Sequence, residues 1–193
     1  MAGYGNTWSN GKSVYMQLKQ DADGHDLDPA DPDNWTVPTP IYRNDASLLN
    51  GNKQLAATAS GGVGMSLDMT YFQDADGRSY YAWQQLGATY IATMDPKDPA
   101  HVTSSPVRIV TPEYAWNAAI AEGPNVTLRD GKLYLMFSGS GVGKTYTTGL
   151  AVADASGTDL TDPASWTVLN YPIQKSGPFN GCLLYTSDAA DEL

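Results

Sequence analysis

Two carboxylates, Asp68 and Glu122, are the residues of this sequence whose surroundings point most directly to chemistry. Asp68 lies in residues 66–72, where its neighbours are mostly apolar, and Glu122 lies in residues 121–126 beside Gly123. Each segment is followed by a turn and then by an aromatic strand, so the two acids occupy matching points of a repeat. Cleaving a glycosidic bond needs two carboxyl groups in different protonation states, and this pair could supply them.

The elements that must position these acids are predicted to be β-strands. Tyr, Thr, Val and Trp are frequent, Gly and Pro interrupt the chain every several residues, and no window carries a sustained helical stripe. Three dipeptides are typical of the type I′ hairpin turn, which needs positive φ at both central residues. They are Asn10-Gly11, Asp76-Gly77 and Asp130-Gly131. Each precedes a strand of similar design, over residues 12–16, 78–83 and 132–137.

A polar loop recurs and completes the repeat. Residues 31–36, which read Asp-Pro-Asp-Asn-Trp-Thr, match residues 162–167, and residues 95–99 are a partial copy. Further strands are predicted at residues 88–94, 147–153 and 106–110. Four strands in this order form a blade, so the sequence predicts an all-β fold, a partial β-propeller of about three blades. A β-sandwich is the alternative.

Composition excludes several classes of function. The chain has 193 residues and a net charge of −10, with a pI of about 4.3, whereas binding to nucleic acid needs clustered Lys and Arg. No apolar run reaches the length of a membrane span, and the first residues do not resemble a signal peptide. The single cysteine, Cys182, excludes a disulfide framework, and the presence of only two histidines, His25 and His101, argues against a His-based metal site.

The segments around the two acids together resemble glycoside hydrolase family 43, five-bladed propellers that act on polysaccharides containing arabinose and xylose. Residues 66–72 are similar to the family segment whose aspartate tunes and orients the acid. Glu122-Gly123-Pro124 is similar to the motif whose glutamate is the general acid. Residues 111–116 and 148–167 resemble the arabinofuranosidase branch, and the resemblance covers residues 14–181.

This resemblance implies an inverting hydrolysis of α-L-arabinofuranosyl or β-xylosyl linkages in plant polysaccharides such as arabinan and arabinoxylan. Glu122 would be the general acid and Asp68 the residue that modulates its pKa. The family's general base is an aspartate of the first blade, and no residue here matches it, so the interpretation places the base upstream of Met1. The reaction requires no cofactor, and a structural calcium ion in the full-length protein is compatible with the family. For the full-length protein, secretion or a periplasmic location is favoured.

Aromatic side chains can bind the flat faces of sugars. Trp116 and Tyr114 lie just before Glu122 and are the strongest candidates for such platforms, with Tyr146 as a third. The other tryptophans considered are interpreted as packing residues of the repeat: Trp35, Trp83 and Trp166.

The tail of the sequence needs a separate interpretation. Residues 182–193 resemble the translated read-through of a sequencing adapter. We therefore predict a partial catalytic domain over residues 1–181, followed by a segment that is not native. A natural acidic tail is the alternative.

Other patterns point to weaker alternatives. Residues 138–145 nearly spell a phosphate-binding loop, but such a loop must open a helix, and the residues that follow are typical of a strand. Residues 21–24 and 74–77 are reminiscent of calcium loops, yet both lack the full ligand spacing and are interpreted as turns. A propeller that binds carbohydrate without cleaving it is the main alternative function.

Overall fold

The computed structural model describes residues 3–4, 12–49 and 66–176, which form three antiparallel sheets. The first sheet has the order β1-β2-β3. Its strands are β1 (Gly3–Tyr4), β2 (Lys12–Tyr15) and β3 (Thr39–Pro40). The turn predicted at Asn10-Gly11 and the tail at residues 182–193 lie outside the described residues.

The second and third sheets are complete blades with the same strand order. The second comprises β4 (Leu67–Gln73), β5 (Ser79–Gln85), β6 (Ala88–Asp95), β7 (Asp98–Val102) and β8 (Val107–Val110). The third comprises β9 (Ala121–Arg129), β10 (Lys132–Gly139), β11 (Thr147–Asp154), β12 (Thr167–Val168) and β13 (Gln174–Lys175). Their orders are β4-β5-β6-β7 and β9-β10-β11-β12, with β8 and β13 also pairing to the third strand of their blade. These sheets confirm the predicted partial propeller.

Strand β5 lies at the centre of the packing. All seven of its residues are buried, and successive side chains point to opposite faces. Tyr80 and Ala82 join the apolar cluster shared with the third blade, whereas Tyr81 and Trp83 join the cluster shared with the first blade. Trp83 is fully buried, as expected of a packing residue. The second blade is therefore held on both faces.

In the part of the chain that the structure describes, no helix is long and apolar enough to span a bilayer.

The recurring polar loop forms the same structure twice. Asp31 and Asp162 each cap a short 3₁₀ helix by accepting a backbone N–H two residues ahead. The indole N–H of Trp35 and that of Trp166 each donate to a carbonyl six residues earlier. This loop follows β2 in the first sheet and β11 in the third. Strand β2 thus matches the third strand of a blade, whereas its sequence suggested a match to the second strand, at residues 132–137.

Two hairpins in the described residues have two-residue turns with positive φ at both central residues. Asp130 and Gly131 have φ of 49° and 73°, as predicted for a type I′ turn. Leu86 and Gly87, with φ of 54° and 76°, form an equivalent turn that the sequence analysis did not predict. Leucine lacks the side-chain chemistry that makes Asn and Asp favourable in this conformation, so the signal for this turn was missing.

The prediction of a two-residue turn at Asp76-Gly77 is wrong. Gln73 pairs with Ser79, so residues 74–78 form a longer connection between β4 and β5. Of the two turn residues, only Gly77 has positive φ, at 81°. The wider loop is stable here because the carboxylate of its first residue accepts hydrogen bonds from the backbone of the loop.

That carboxylate belongs to Asp74, whose side chain is fully buried. It accepts hydrogen bonds from the backbone N–H groups of Asp76 at 3.0 Å and Arg78 at 2.8 Å. It also accepts from Arg78 Nε at 2.7 Å and from the Tyr80 hydroxyl at 3.1 Å. Arg78 Nη2 continues to the carbonyl of Thr158 in the third blade, at 2.7 Å. The loop therefore clamps the second and third blades together.

A second packing constraint lies in the loop before β9. Trp116 stacks on Phe137 and on Tyr114, with ring centroids 6.0 Å apart in both pairs, and its indole N–H donates to the carbonyl of Asn170 at 3.1 Å. Gly149 lies opposite Phe137 in the sheet. A Cβ at Gly149 would lie 2.3 Å from Phe137 and 2.7 Å from Trp116. Only glycine leaves room for this stack.

We expect Asp74→Ala to lower the free energy of unfolding by about 3 kcal/mol, because it leaves a buried hydroxyl and two loop amides without their acceptor. Asp154→Ala is the matched control, since Asp154 pairs with Lys132 at an exposed position and such pairs contribute little. Urea unfolding of the parent protein and of the two variants measures the difference in the free energy of unfolding. Equal stability of the two variants would contradict the clamp.

Gly149→Ala is expected to displace the Trp116 ring and to destabilise the chain by about 2 kcal/mol, the usual cost of overpacking. Gly141→Ala is the control, since a Cβ there meets nothing within 4 Å. Tryptophan fluorescence and thermal unfolding report the two effects. An unchanged emission spectrum in Gly149→Ala would show that the stack tolerates the added methyl group.

Candidate active site

Asp68 lies in a β-bulge at the start of β4. Leu67 pairs with Gln84 and Thr70 pairs with Ala82, so three steps along β4 oppose two steps along β5. Asp68 itself has φ of 55°, in the left-handed region that aspartate tolerates better than most residues. A bulge re-aims the side chains around it, and this one takes Asp68 out of the regular alternation of the strand.

Glu122 lies beside a second bulge, at the start of β9. Glu122 pairs with Ser138 and Asn125 pairs with Met136, which again sets three steps against two. Gly123 occupies the left-handed position, with φ of 58°. Counted from the bulge, Gly123 is the counterpart of Asp68. The two acids are therefore offset by one residue in the repeat, whereas the sequence pattern placed them at matching points.

One hydrogen bond joins the two bulges. The backbone N–H of Gly123 donates to Asp68 Oδ2 at 3.0 Å, across the interface between the second and third blades. The carboxylate of Asp68 is thus bound to the residue that directly follows Glu122. The structure brings the two segments together as the sequence analysis required, and it does so through a backbone amide.

The Glu122 side chain is buried, with 7% of its surface exposed. Its Oε1 accepts a hydrogen bond from the Tyr146 hydroxyl at 2.8 Å. Tyr146 is the last residue of the connection between β10 and β11, which runs over residues 140–146 and is longer than the Leu86-Gly87 turn of the second blade. Of the residues proposed from sequence, Tyr146 contacts the Glu122 side chain, and Asp68 contacts the backbone of the residue that follows Glu122.

The backbone before Glu122 is fixed by the second blade. Ala121 N–H donates to the carbonyl of Gly87 at 2.8 Å, and the carbonyl of Ala121 accepts from the Thr89 hydroxyl at 3.0 Å. Thr89 and Ala121 are fully buried. The acid therefore projects from a strand end whose position is set on both sides, which limits how far its carboxyl group can move.

The proposed sugar platforms lie in the loop before β9. Trp116 is engaged in the stack described above, which runs from the fully buried Phe137 to the partly exposed Tyr114. The loop is bound to the hairpin that carries Tyr146, because Thr147 Oγ1 donates to the carbonyl of Trp116 at 3.4 Å. Tyr114 thus forms the partly exposed end of the stack and Phe137 the buried end. Trp116 lies between them and packs against both rings.

Sequence reasoning missed two buried amides near the candidate site. Gln84 lies opposite Leu67 at the first bulge, and Asn117 lies in the loop before β9. Within the described ranges, Gln84 Oε1 and Asn117 Nδ2 have no hydrogen-bond partner. Asn117 also accepts from the Ser140 N–H through its carbonyl, at 3.1 Å, and so ties the loop to the hairpin. No sequence motif distinguishes these amides from exposed ones.

The segments interpreted as turns are turns in the structure. Residues 140–146 connect two strands of one sheet, so the helix that a phosphate-binding loop requires is absent from this described segment. Asp21 Oδ1 accepts the N–H groups of Asp23 and His25, both at 2.9 Å. The three side chains offer possible metal ligands within 4.8 Å of one another, and all are exposed.

Comparison with known proteins identifies the family. The family model for glycosyl hydrolases family 43 matches residues 51–182. An extracellular exo-α-(1→5)-L-arabinofuranosidase of Streptomyces chartreusis is 30% identical over 143 residues, covering 66% of this chain and 43% of that protein. An α-L-arabinofuranosidase 43 of Humicola insolens is 32% identical over 119 residues, covering 56% of this chain and 24% of that protein.

Solved structures agree on the fold. The α-L-arabinofuranosidase from Lactobacillus brevis is 24% identical and matches 86% of this chain and 53% of that chain, with a TM-score of 0.58. A thermostable family-43 glycoside hydrolase is 22% identical and matches 89% and 55%, with a TM-score of 0.56. The chain spans about half, or less, of the length of these relatives. Because the family model matches more than half of its residues, the chain belongs to glycosyl hydrolases family 43.

Proposed function

We propose that this chain supplies the general acid of an inverting glycoside hydrolase that releases α-L-arabinofuranosyl residues from arabinan or arabinoxylan. The observation that carries the proposal is the hydrogen bond that joins the two bulges, because it binds the Asp68 carboxylate to the residue directly after the buried Glu122. The names of the curated relatives, both arabinofuranosidases, favour this sugar over xylose. Cleavage of β-xylosyl linkages is the alternative within the same chemistry.

Glu122 acts as the acid in this proposal. Its burial disfavours the charged carboxylate, because desolvation penalises the ionised form. The carboxyl group transfers its proton to the glycosidic oxygen as the bond to the anomeric carbon breaks. A water molecule attacks that carbon from the opposite face, and a second carboxylate, acting as the general base, accepts the water's proton. Inverting enzymes hold the acid and the base about 6.5–9.5 Å apart to leave room for this water.

Asp68 has two roles that its geometry supports. Its carboxylate accepts from Gly123 N–H and so fixes the bulge from which Glu122 projects. Its negative charge, bound at the Gly123 amide that directly follows Glu122, disfavours a second charge on Glu122. Both effects keep the acid oriented and protonated until the leaving oxygen takes its proton.

In the complete protein that contains this segment, Glu122→Gln is expected to lower kcat/KM on natural arabinan oligosaccharides by about 10²–10⁴-fold, the range for a lost general acid. The amide keeps an oxygen that can accept from Tyr146, so sugar binding measured by calorimetry remains close to that of the parent. Glu113→Gln, at an exposed glutamate, is the control and leaves turnover unchanged. Sugar binding without turnover in the parent protein would favour the non-catalytic binding propeller.

Two substitutions of Asp68 separate its charge from its hydrogen bond. Asp68→Asn keeps an acceptor for Gly123 N–H and tolerates the positive φ, but it lacks the charge, so we expect turnover to fall about 10-fold with little change in stability. Asp68→Ala loses the acceptor as well and should lower the free energy of unfolding by about 2 kcal/mol. Steady-state kinetics and urea unfolding measure these effects. Equal stability of the two variants would contradict the role given to the Gly123 bond.

A further inference from the structure

Tyr146, a candidate sugar platform from sequence, contacts the candidate acid Glu122 in the structure. The tyrosine hydroxyl donates to Glu122 Oε1 at 2.8 Å. Only 6% of Tyr146 and 7% of Glu122 are exposed. Because the hydroxyl is directed at the carboxyl group, its hydrogen bond acts on the acid itself.

The backbone of Tyr146 is held in place from two sides. Its N–H donates to the carbonyl of Gly143 at 3.1 Å, within the hairpin, and its carbonyl accepts from Ser176 N–H at 2.8 Å, just beyond β13. The next residue, Thr147, pairs with Gly139 at the start of β11. The ring therefore projects from fixed backbone, as a group that positions another side chain must.

The hairpin of the third blade is the feature that makes this contact available. The equivalent connection in the second blade is the two-residue Leu86-Gly87 turn, which has no residue in the place of Tyr146. Residues 140–146 extend the third-blade hairpin and end on the tyrosine. The extension thus brings a hydrogen-bond donor to the one blade that carries Glu122.

We propose that Tyr146 is a positioning residue that fixes the plane of the Glu122 carboxyl group through its hydrogen bond to Oε1. This inference rests on the proposed role of Glu122 as general acid. The last torsion of a glutamate is broad and poorly restrained by sterics, and a displacement of about 1 Å in a reacting group can cost about 10² in rate. A fixed donor on one oxygen removes that freedom.

Tyr146 also influences the proton on the acid. A donated hydrogen bond favours the charged carboxylate, so it acts against burial and against the negative charge of Asp68, which is bound to the adjacent Gly123 amide. Removing the donor should therefore make the acid hold its proton to higher pH. A residue that only fills space would have no such effect.

The kinetic test compares Tyr146→Phe with Tyr81→Phe in the complete protein. Tyr81 is the matched control because it is a buried tyrosine whose hydroxyl donates to the carbonyl of Pro99, in the second blade. Burial raises the pKa of Tyr81 to about 12, so its hydroxyl stays protonated across the assay. For Tyr146→Phe we expect kcat on natural linkages to fall about 10-fold or more. Aryl arabinofuranosides, whose leaving groups need little protonation, should lose much less. The alkaline limb of kcat/KM should move upward, and Tyr81→Phe should change none of these quantities.

Two kinetic outcomes overturn the inference. Equal losses on both substrate classes with an unmoved alkaline limb would indicate a packing role. A raised KM with unchanged kcat would indicate that Tyr146 binds the sugar directly.

A measurement independent of turnover separates this inference from the proposed function. The carboxyl carbon of Glu122, labelled with ¹³C, is titrated by NMR in the parent and in Tyr146→Phe. A midpoint that moves upward in the variant supports the coupling even if the complete protein cleaves no arabinofuranoside, an outcome that would reject the glycosidase proposal alone. An unmoved midpoint contradicts the role of Tyr146 whatever the activity.

Discussion

The hydrogen bond from Gly123 N–H to Asp68 Oδ2 is the constraint on which the candidate site depends. Each partner occupies the left-handed position of a β-bulge, and bulges are places where a strand can direct a side chain away from its regular face. Neither bulge alone would bring two acids together. The bond between them sets the second and third blades in register at the end where Glu122 projects. The position of the acid therefore depends both on the strained backbone of the bulges and on the packing between the blades.

Other contacts between the second and third blades help to maintain this register. Apolar side chains on β5, β9 and β10 fill the space between the second and third blades, and Asp74 with Arg78 clamps the same two blades at the other end of β4. Glycine at position 149 and the stack on Phe137 fix the loop that precedes β9. Of these groups, the apolar cluster and the Asp74–Arg78 clamp limit the movement of the second blade against the third.

Much of this architecture could be predicted from residue patterns, because alternation, turn dipeptides and the repeated Asp-Pro loop are local signals. The family resemblance came from the segments around Asp68 and Glu122 rather than from these general patterns. The one-residue offset between Asp68 and Glu122 could not, since a bulge depends on which residues pair across strands. The Leu86-Gly87 turn lacked a favourable side chain, and the wide loop at residues 74–78 depends on a buried carboxylate that sequence cannot distinguish from an exposed one. The contact of Tyr146 with Glu122 joins residues whose placement depends on an extended hairpin.

The central claim is that the joined bulges present Glu122 to a scissile bond. A crystal structure of the complete protein carrying Glu122→Gln, with an arabinofuranose oligosaccharide bound, tests this most directly. The account predicts a glycosidic oxygen within about 3 Å of the side chain at position 122, with the Asp68–Gly123 bond intact. A sugar bound with its glycosidic oxygens out of reach of that side chain, at full occupancy, would contradict it.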